Sequence, residues 1–202
     1  MALAGCASAR SSSDGPVMSA PLESFASLRM VILPVQSLRG DSLGWATKAG
    51  DAKRFLAAVD TALEKEFRDR GLGSMWAFPA DLARTARRNP TFATDPSAIR
   101  AGDAARVMER RRDAQIPEPV ATQLRALVGF HDARHALVPV EIRFDPNPAG
   151  GGARAVLHVV VMDVRGSRLA WVGDIAGEYT PDFSPTLPAG LAKRFADLIV
   201  AR

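Results

Sequence analysis

Three observations predict an α+β fold with a mixed sheet of four to five strands. Apolar, β-rich runs at 29–35, 74–78, 136–144, 155–165 and 168–179 read as strands. Stretches at 52–70, 119–130 and 188–201 carry apolar residues at helical spacing. The order in which these alternate gives a βαβ unit followed by a three-strand meander and a closing helix. The chain has 202 residues, 47% of them hydrophobic, which suits one domain at 28–202 behind a tail at 1–27. No run approaches the roughly 18 apolar residues that span a bilayer.

Each element has its own signature. Arg29–Val35 (RMVILPV) is a near-continuous apolar run, as expected of a strand buried on both faces, and Pro34 limits its far end. Residues 37–50 are rich in Gly and Ser and read as a loop. Asp51 is placed as an N-cap for the longest helix, 52–70, whose stripe is Phe55, Val59, Ala62, Leu63 and Phe67; Gly71 and Gly73 end it. Residues 74–78 form a short strand. Pro79, Pro90, Pro96 and Pro117 cut 79–116 into helical pieces, read as an insertion or lateral flap, with 98–113 the best of them.

A helix over 119–130 presents Val120, Leu124, Leu127 and Val128 on one side. In the strand 136–144, Val138, Val140, Ile142 and Phe144 alternate with Pro139, Glu141 and Arg143, which makes one face wetter. The clearest hairpin turns at Gly166-Ser167 as a type II′ turn, setting Met162 opposite Trp171 and Val161 opposite Val172. Residues 188–201 close the fold with Leu191, Phe195, Leu198 and Ile199 inward.

The only cysteine is Cys6, so no internal disulfide staples the chain. Leu3-Ala4-Gly5-Cys6 resembles a bacterial lipobox, in which the small residues fit a narrow signal-peptidase site and the thiol takes the diacylglycerol. Residues 7–21 (ASARSSSDGPVMSAP) are small, polar and broken by Pro and Gly, a composition expected of a flexible tether. Only five residues precede Cys6, so this reading expects a basic segment and an apolar segment upstream of Met1. The alternative is a disordered cytosolic start with an incidental cysteine. The resemblance implies a lipid anchor at Cys6 in the bacterial envelope, facing the periplasm, and Ala7 fits sorting to the outer membrane. One acyl chain binds weakly, whereas the triacylated terminus of such proteins holds firmly.

Two further segments, MVILPV at 30–35 and VVVMDVRGSRLAWVGDIAGE at 159–178, resemble a group of envelope domains. The group comprises the curli-secretion channel lipoprotein, the lipoprotein activators of penicillin-binding proteins and the amino-terminal domain of the Tol-system propeller protein. The resemblance implies their fold over 28–202, with Gly166 as a turn and Trp171 as a packing residue. It also implies an interaction or assembly domain without an active site or cofactor, whose partner is another envelope protein or further copies of itself.

Candidate chemistry is sparse. His131 and His135 lie four apart in GFHDARH, the spacing that lets two imidazoles meet one metal on a helix. The segment lacks the adjacent glutamate of a zinc-protease helix and sits where a helix should end, so a polar helix terminus is the simpler reading and no metal is expected. His158 belongs to the hairpin, on the face of Val156 and Val160. Ser42, in a loop, is the nucleophile a small hydrolase would use together with a histidine. No Gly-rich phosphate loop is present.

The net charge is +4, and only four of the 26 basic residues are lysines. The run RVMERRRDA at 106–114 offers Arg106, Arg110, Arg111 and Arg112 as partner contacts or, with Arg84, Arg87 and Arg88 nearby, as a face for an anionic polymer, lipid headgroups or polysaccharide phosphate, although Glu109 and Asp113 at helical spacing make a solvated, ion-paired surface the simplest reading. Aromatics for stacking are few, so nucleic acid is not expected. Trp45, in the loop after the first strand, either contacts a partner or folds back over the sheet. The function these observations favour is a non-catalytic, lipid-anchored interaction or assembly module. A small hydrolase and a basic anionic-polymer-binding module are the alternatives.

Overall fold

The computed structural model describes residues 22–111 and 113–200. A 3₁₀ turn, Leu22–Phe25, leads into β1 (Met30–Ile32). Then come α1 (Trp45–Lys48), α2 (Ala52–Asp69), β2 (Trp76–Ala77), α3 (Pro79–Arg88), α4 (Ala101–Arg110) and α5 (Val120–Phe130). The antiparallel strands β3 (His135–Pro146), β4 (Ala153–Asp163) and β5 (Arg168–Ala176) follow, and α6 (Leu187–Ile199) closes the order. The five strands make one mixed sheet in the order β2-β1-β3-β4-β5, with β1 parallel to both its neighbours. The fold is therefore α+β, built from the βαβ unit and meander that the sequence predicts.

Both faces of the sheet are covered, each by its own helices. α2 and α6 lie over the face that carries Ile32, Leu137, Leu157, Val159 and Val161. Phe55, Val59, Leu63 and Phe67 form the buried stripe of α2. The Asp51 carboxylate caps this helix by accepting from the Arg54 amide at 3.1 Å. α3, α4 and α5 cover the opposite face, against Val31, Leu33, Ala136, Val138, Val160 and Met162. Residues 79–116 thus contribute a layer over the sheet instead of a lateral flap. Because β1 has helices on both sides, Met30, Val31, Ile32 and Leu33 are all buried.

Two registers differ from the sequence reading. In β3, Pro139 pairs with Val159 and Glu141 with His158, which leaves Val140 as an extra residue. Pro139 brings no N–H to this interior strand, and the bulge sits beside it. The faces swap there. Val138 and Val140 belong to the α3–α5 side, whereas Ile142 and Phe144 belong to the α2–α6 side. A uniform alternation across the whole strand does not hold.

In the hairpin, Val161 lies opposite Trp171, Val160 opposite Val172, and Met162 opposite Leu169, with a second irregularity between Val161 and Met162. The strands close at Asp163 and Arg168, so four residues turn instead of two. The Asp163 carboxylate accepts from the Gly166 amide at 3.0 Å. Ser167, not Gly166, takes a left-handed conformation, with φ 51°.

Polar ties fix the layers to one another. Arg70, with a side chain only 3% exposed, bonds Glu66 within α2 and Asp197 on α6. Asp60 of α2 accepts from the Val35 amide at 2.9 Å just beyond β1. Burial pushes this carboxyl up to about 7.

Candidate functional site

Trp45 is buried, at 4% exposure. Gly44 adopts a left-handed conformation (φ 71°), and the Asp41 carboxylate receives the amides of Leu43, Trp45 and Ala46. This chemistry nucleates α1 within the predicted loop and turns the indole inward, where its ring centroid lies 5.6 Å from that of Phe144 and 6.0 Å from that of Phe183. Of the two roles open to Trp45, folding back over the sheet is the one found, and its role as an exposed partner contact is withdrawn. Cys6 and Arg112 lie outside the described residues.

The other arginines of the basic run diverge. Arg106 turns toward the sheet, bonding Asp103, Ser37 and Glu141, and Glu141 also binds Arg39 at 2.6 Å. It joins α4 to β3 and to the segment leaving β1. Arg110 and Arg111 are exposed. Glu109, between Arg106 and Arg110, faces the sheet and receives His158 Nε2 at 3.1 Å.

That contact belongs to the densest polar cluster on the sheet. His158 on β4 bonds Glu109 through Nε2 and Asp174 on β5 through Nδ1 at 2.8 Å. Asp174 also accepts from Arg143 on β3 at 2.7 Å, and Arg143 pairs with Asp145 at 3.0 Å. The β3 bulge brings Glu141 and Arg143 into line with this chain of charges. Bonding to the Asp174 carboxylate, reinforced by Glu109, pushes the imidazole up to about 9. Asp174 is held well below the usual carboxylate range, chiefly by that same histidine. With both nitrogens donating to carboxylates, His158 acts as a cationic clamp between α4 and the sheet.

The sign of the pH effect follows from linkage. His158 titrates near 6.5 when unfolded and near 9 when folded. The clamp therefore stabilises fully below pH 6.5, and its contribution disappears as pH rises through about 9. Discounted for its partial solvent access, the contribution is on the order of 1–2 kcal/mol. Urea denaturation of the wild type should lose about that much between pH 6.5 and pH 10 relative to His158→Gln. Equal losses in both proteins would rule the clamp out.

His131 and His135 do not share an element. His131 caps the end of α5, Asp132 turns the chain at φ 48°, and His135 opens β3. His131 Nε2 lies 3.1 Å from Thr85 Oγ1, and burial lowers its pKa. The His135 ring stands edge-on to Phe25 at 5.8 Å, and burial lowers its pKa too. Among the described residues no group of three metal-ligating side chains converges. Ser42 is exposed in the turn before α1, and the bonded partners of His131 and His158 are on other elements.

A second polar region lies at one end of the sheet. The Asp163 carboxylate, 3% exposed, takes a two-point bond from Arg134 at 2.9 and 2.6 Å, which holds it well below the usual range. Beside it are two clefts. One, of about 330 Å³, has Arg29, Met75, Asp81, Arg84, Arg88 and His131 in its lining. The other, of about 200 Å³, has Leu28, Arg29, Asp132, Arg134, His135 and Arg165 in its lining. Sequence reasoning singled out Arg84 and Arg88, which stand together on α3, but did not join them to Arg29, Arg134 and Arg165, which come from separate connections next to the start or end of a strand.

No helix among the described residues is long and apolar enough to cross a membrane. No family model matches the chain, and no curated protein is similar to it at a significant level. Among solved structures, a PelC dodecamer from Paraburkholderia phytofirmans is similar over 86% of this chain and 88% of that chain, with 10% identity and a TM-score of 0.33. A similarity at that level carries no argument about function.

Proposed function

We propose that this chain is a non-catalytic interaction or assembly module of the bacterial cell envelope, anchored through lipid on Cys6 and facing the periplasm. The observation that carries the reading is the sequence Leu3-Ala4-Gly5-Cys6 followed by fifteen residues rich in Ser, Ala, Gly and Pro before Leu22, where the described body begins. A lipidated cysteine on such a leash holds a folded body near a bilayer while leaving it free to turn toward a partner. The character of the body supports the same reading. Its best-placed titratable groups, His158, Glu109, Asp174, Arg143 and Asp163, are bonded to one another or to neighbouring strands and serve as struts. The surface open to a protein partner includes Arg110 and Arg111 at the end of α4 and the free edge of β5, which ends the sheet among the described residues.

The test is mass spectrometry of the mature amino terminus from the native host, with fractionation of its membranes. The expected species begins at Cys6, carries the diacylglyceryl mass and sediments with the envelope. An unmodified Cys6 thiol on soluble interior protein would overturn both the anchor and the location.

A further inference from the structure

The five strands end together at one side of the sheet. Met30 of β1 is in register with Trp76 of β2 and His135 of β3; His135 pairs with Asp163 of β4, and Asp163 with Arg168 of β5. Residues just outside these positions therefore form a single rim. The two arginine-lined clefts lie along it and share Arg29.

Positive charge is in excess here. Asp163 binds Arg134 and Arg168. Arg29 has only a long contact, 3.8 Å, to Asp132, and both are largely exposed. Arg84 shares Asp81 with Arg68. Neither Arg88 nor Arg165 forms an ion pair among the described residues, and both are exposed. Apolar side chains stand among these arginines: Leu28 is 37% exposed and Met75 36%.

We infer that this rim is a docking surface for an anionic lipid bilayer, with Arg29, Arg84, Arg88 and Arg165 engaging headgroup phosphates and Leu28 and Met75 entering the interface. Guanidinium groups bind phosphate oxygens at two points, and apolar side chains between them gain by partial burial among acyl chains. A nucleic-acid groove would line up stacking aromatics, whereas neither cleft is lined by an exposed Phe, Tyr or Trp among the described residues. The route of the chain favours a membrane over an acidic protein. The turn Leu22–Phe25, which joins residues 1–21 to the body, packs at this rim: Phe25 touches His135, and the Leu28 carbonyl accepts from Trp76 Nε1 at 3.1 Å. This last point rests on the anchor at Cys6; the charge and apolar arguments do not.

The experiment uses the full chain carrying Cys6→Ser, so that no acyl chain contributes, in flotation with phosphatidylcholine vesicles with and without 30 mol% phosphatidylglycerol. Binding is expected only to the anionic vesicles and should weaken with salt. One arginine at an anionic surface is worth about five-fold in partitioning, so Arg88→Gln/Arg165→Gln should lose roughly 25-fold. Neither substitution removes an ion pair, so folding is spared. Lys53→Gln/Arg54→Gln removes equal charge from the start of α2, at the opposite end of the βαβ unit, and should change binding less than two-fold. Met75→Ser should weaken binding without altering the salt slope.

Several results overturn the proposal: equal losses in the two double variants, equal binding to neutral vesicles, displacement by millimolar inorganic phosphate, or tighter binding to a single-stranded oligonucleotide. Because the anchor is absent, this outcome is independent of whether Cys6 is lipidated in the cell.

Discussion

Phe67→Ala is expected to cost about 3–5 kcal/mol of folding stability. Phe67 is wholly buried near the end of α2, with its ring centroid 5.1 Å from that of Trp76 on β2 and 5.3 Å from that of Phe195 on α6. Both contacts are edge-on, the arrangement that aromatic quadrupoles favour. The ring thus joins α2 to the nearby β2 and to α6, which lies at the far end of the chain. Truncating it removes these contacts and leaves a cavity that stiff neighbouring rings refill poorly. Against a total of roughly 5–15 kcal/mol for a domain, the loss is a large fraction. Urea denaturation should show a lower midpoint with an unchanged slope. Phe92→Ala is the control: that ring is 74% exposed, and its removal should shift stability by less than about 0.5 kcal/mol. Similar losses for both variants would mean that the Phe67–Trp76–Phe195 cluster does not hold α2 and α6 to the sheet.

Gly152→Ala should be nearly as damaging, at about 3 kcal/mol, for a different reason. Gly152 has φ 90°, where an L side chain is strained. A Cβ there would also lie 1.9 Å from the Thr180 carbonyl oxygen and 2.7 Å from Pro181 Cα. These are backbone atoms and cannot rotate away. Relief requires breaking the reciprocal pair in which the Ala153 amide donates to Thr180 and the Thr180 amide donates to Ala153. That pair fastens the chain after β5 to the start of β4. Gly151→Ala separates the two effects: its φ is 71°, but a Cβ would meet nothing within 4 Å, so only the backbone strain of about 1 kcal/mol should appear. Hydrogen exchange at the Ala153 and Thr180 amides should accelerate in Gly152→Ala and not in Gly151→Ala. If the two variants melt together, the clash is relieved by loop movement and the pair is not a fastening.

Periodicity carried much of the fold. The α2 stripe, the apolar run of β1 and the paired strands around Gly166-Ser167 are local patterns, and a pattern of period 3.6 or 2 reports the face a segment must bury. Pro139 was equally visible, but its consequence was not. A proline inside a central strand forces an accommodation, and which residue bulges depends on the partner strand. The hairpin register failed for a related reason: Asp163 closes the turn with its own side chain, so two expected turn residues became four. Trp45 was open between solvent and core because the deciding groups, Phe144 and Phe183, lie about a hundred residues or more away.

The candidate sites were less legible than the fold. His158 was placed on the correct strand, but its partners Glu109 and Asp174 are 49 and 16 residues distant. The basic run at 106–112 drew attention because its charges are contiguous in sequence, yet Arg106 serves as a tie between α4 and β3. Of the rim arginines, Arg84 and Arg88 are neighbours on α3, but Arg29 and Arg165 are remote in sequence and reach the same rim only because the strands beside them start or finish at one edge.

By itself, then, the sequence determined the kinds and order of the main elements, α1 excepted, the α+β class, and a cysteine motif followed by a stretch too polar to bury itself. Those are properties of short segments, set by spacing, composition and chain entropy. Tertiary structure alone decided which helices cover which face, where β3 changes sides, and which charges meet. Such choices depend on groups distant along the chain, and the energy of a pair of charges or rings is fixed by their separation in space.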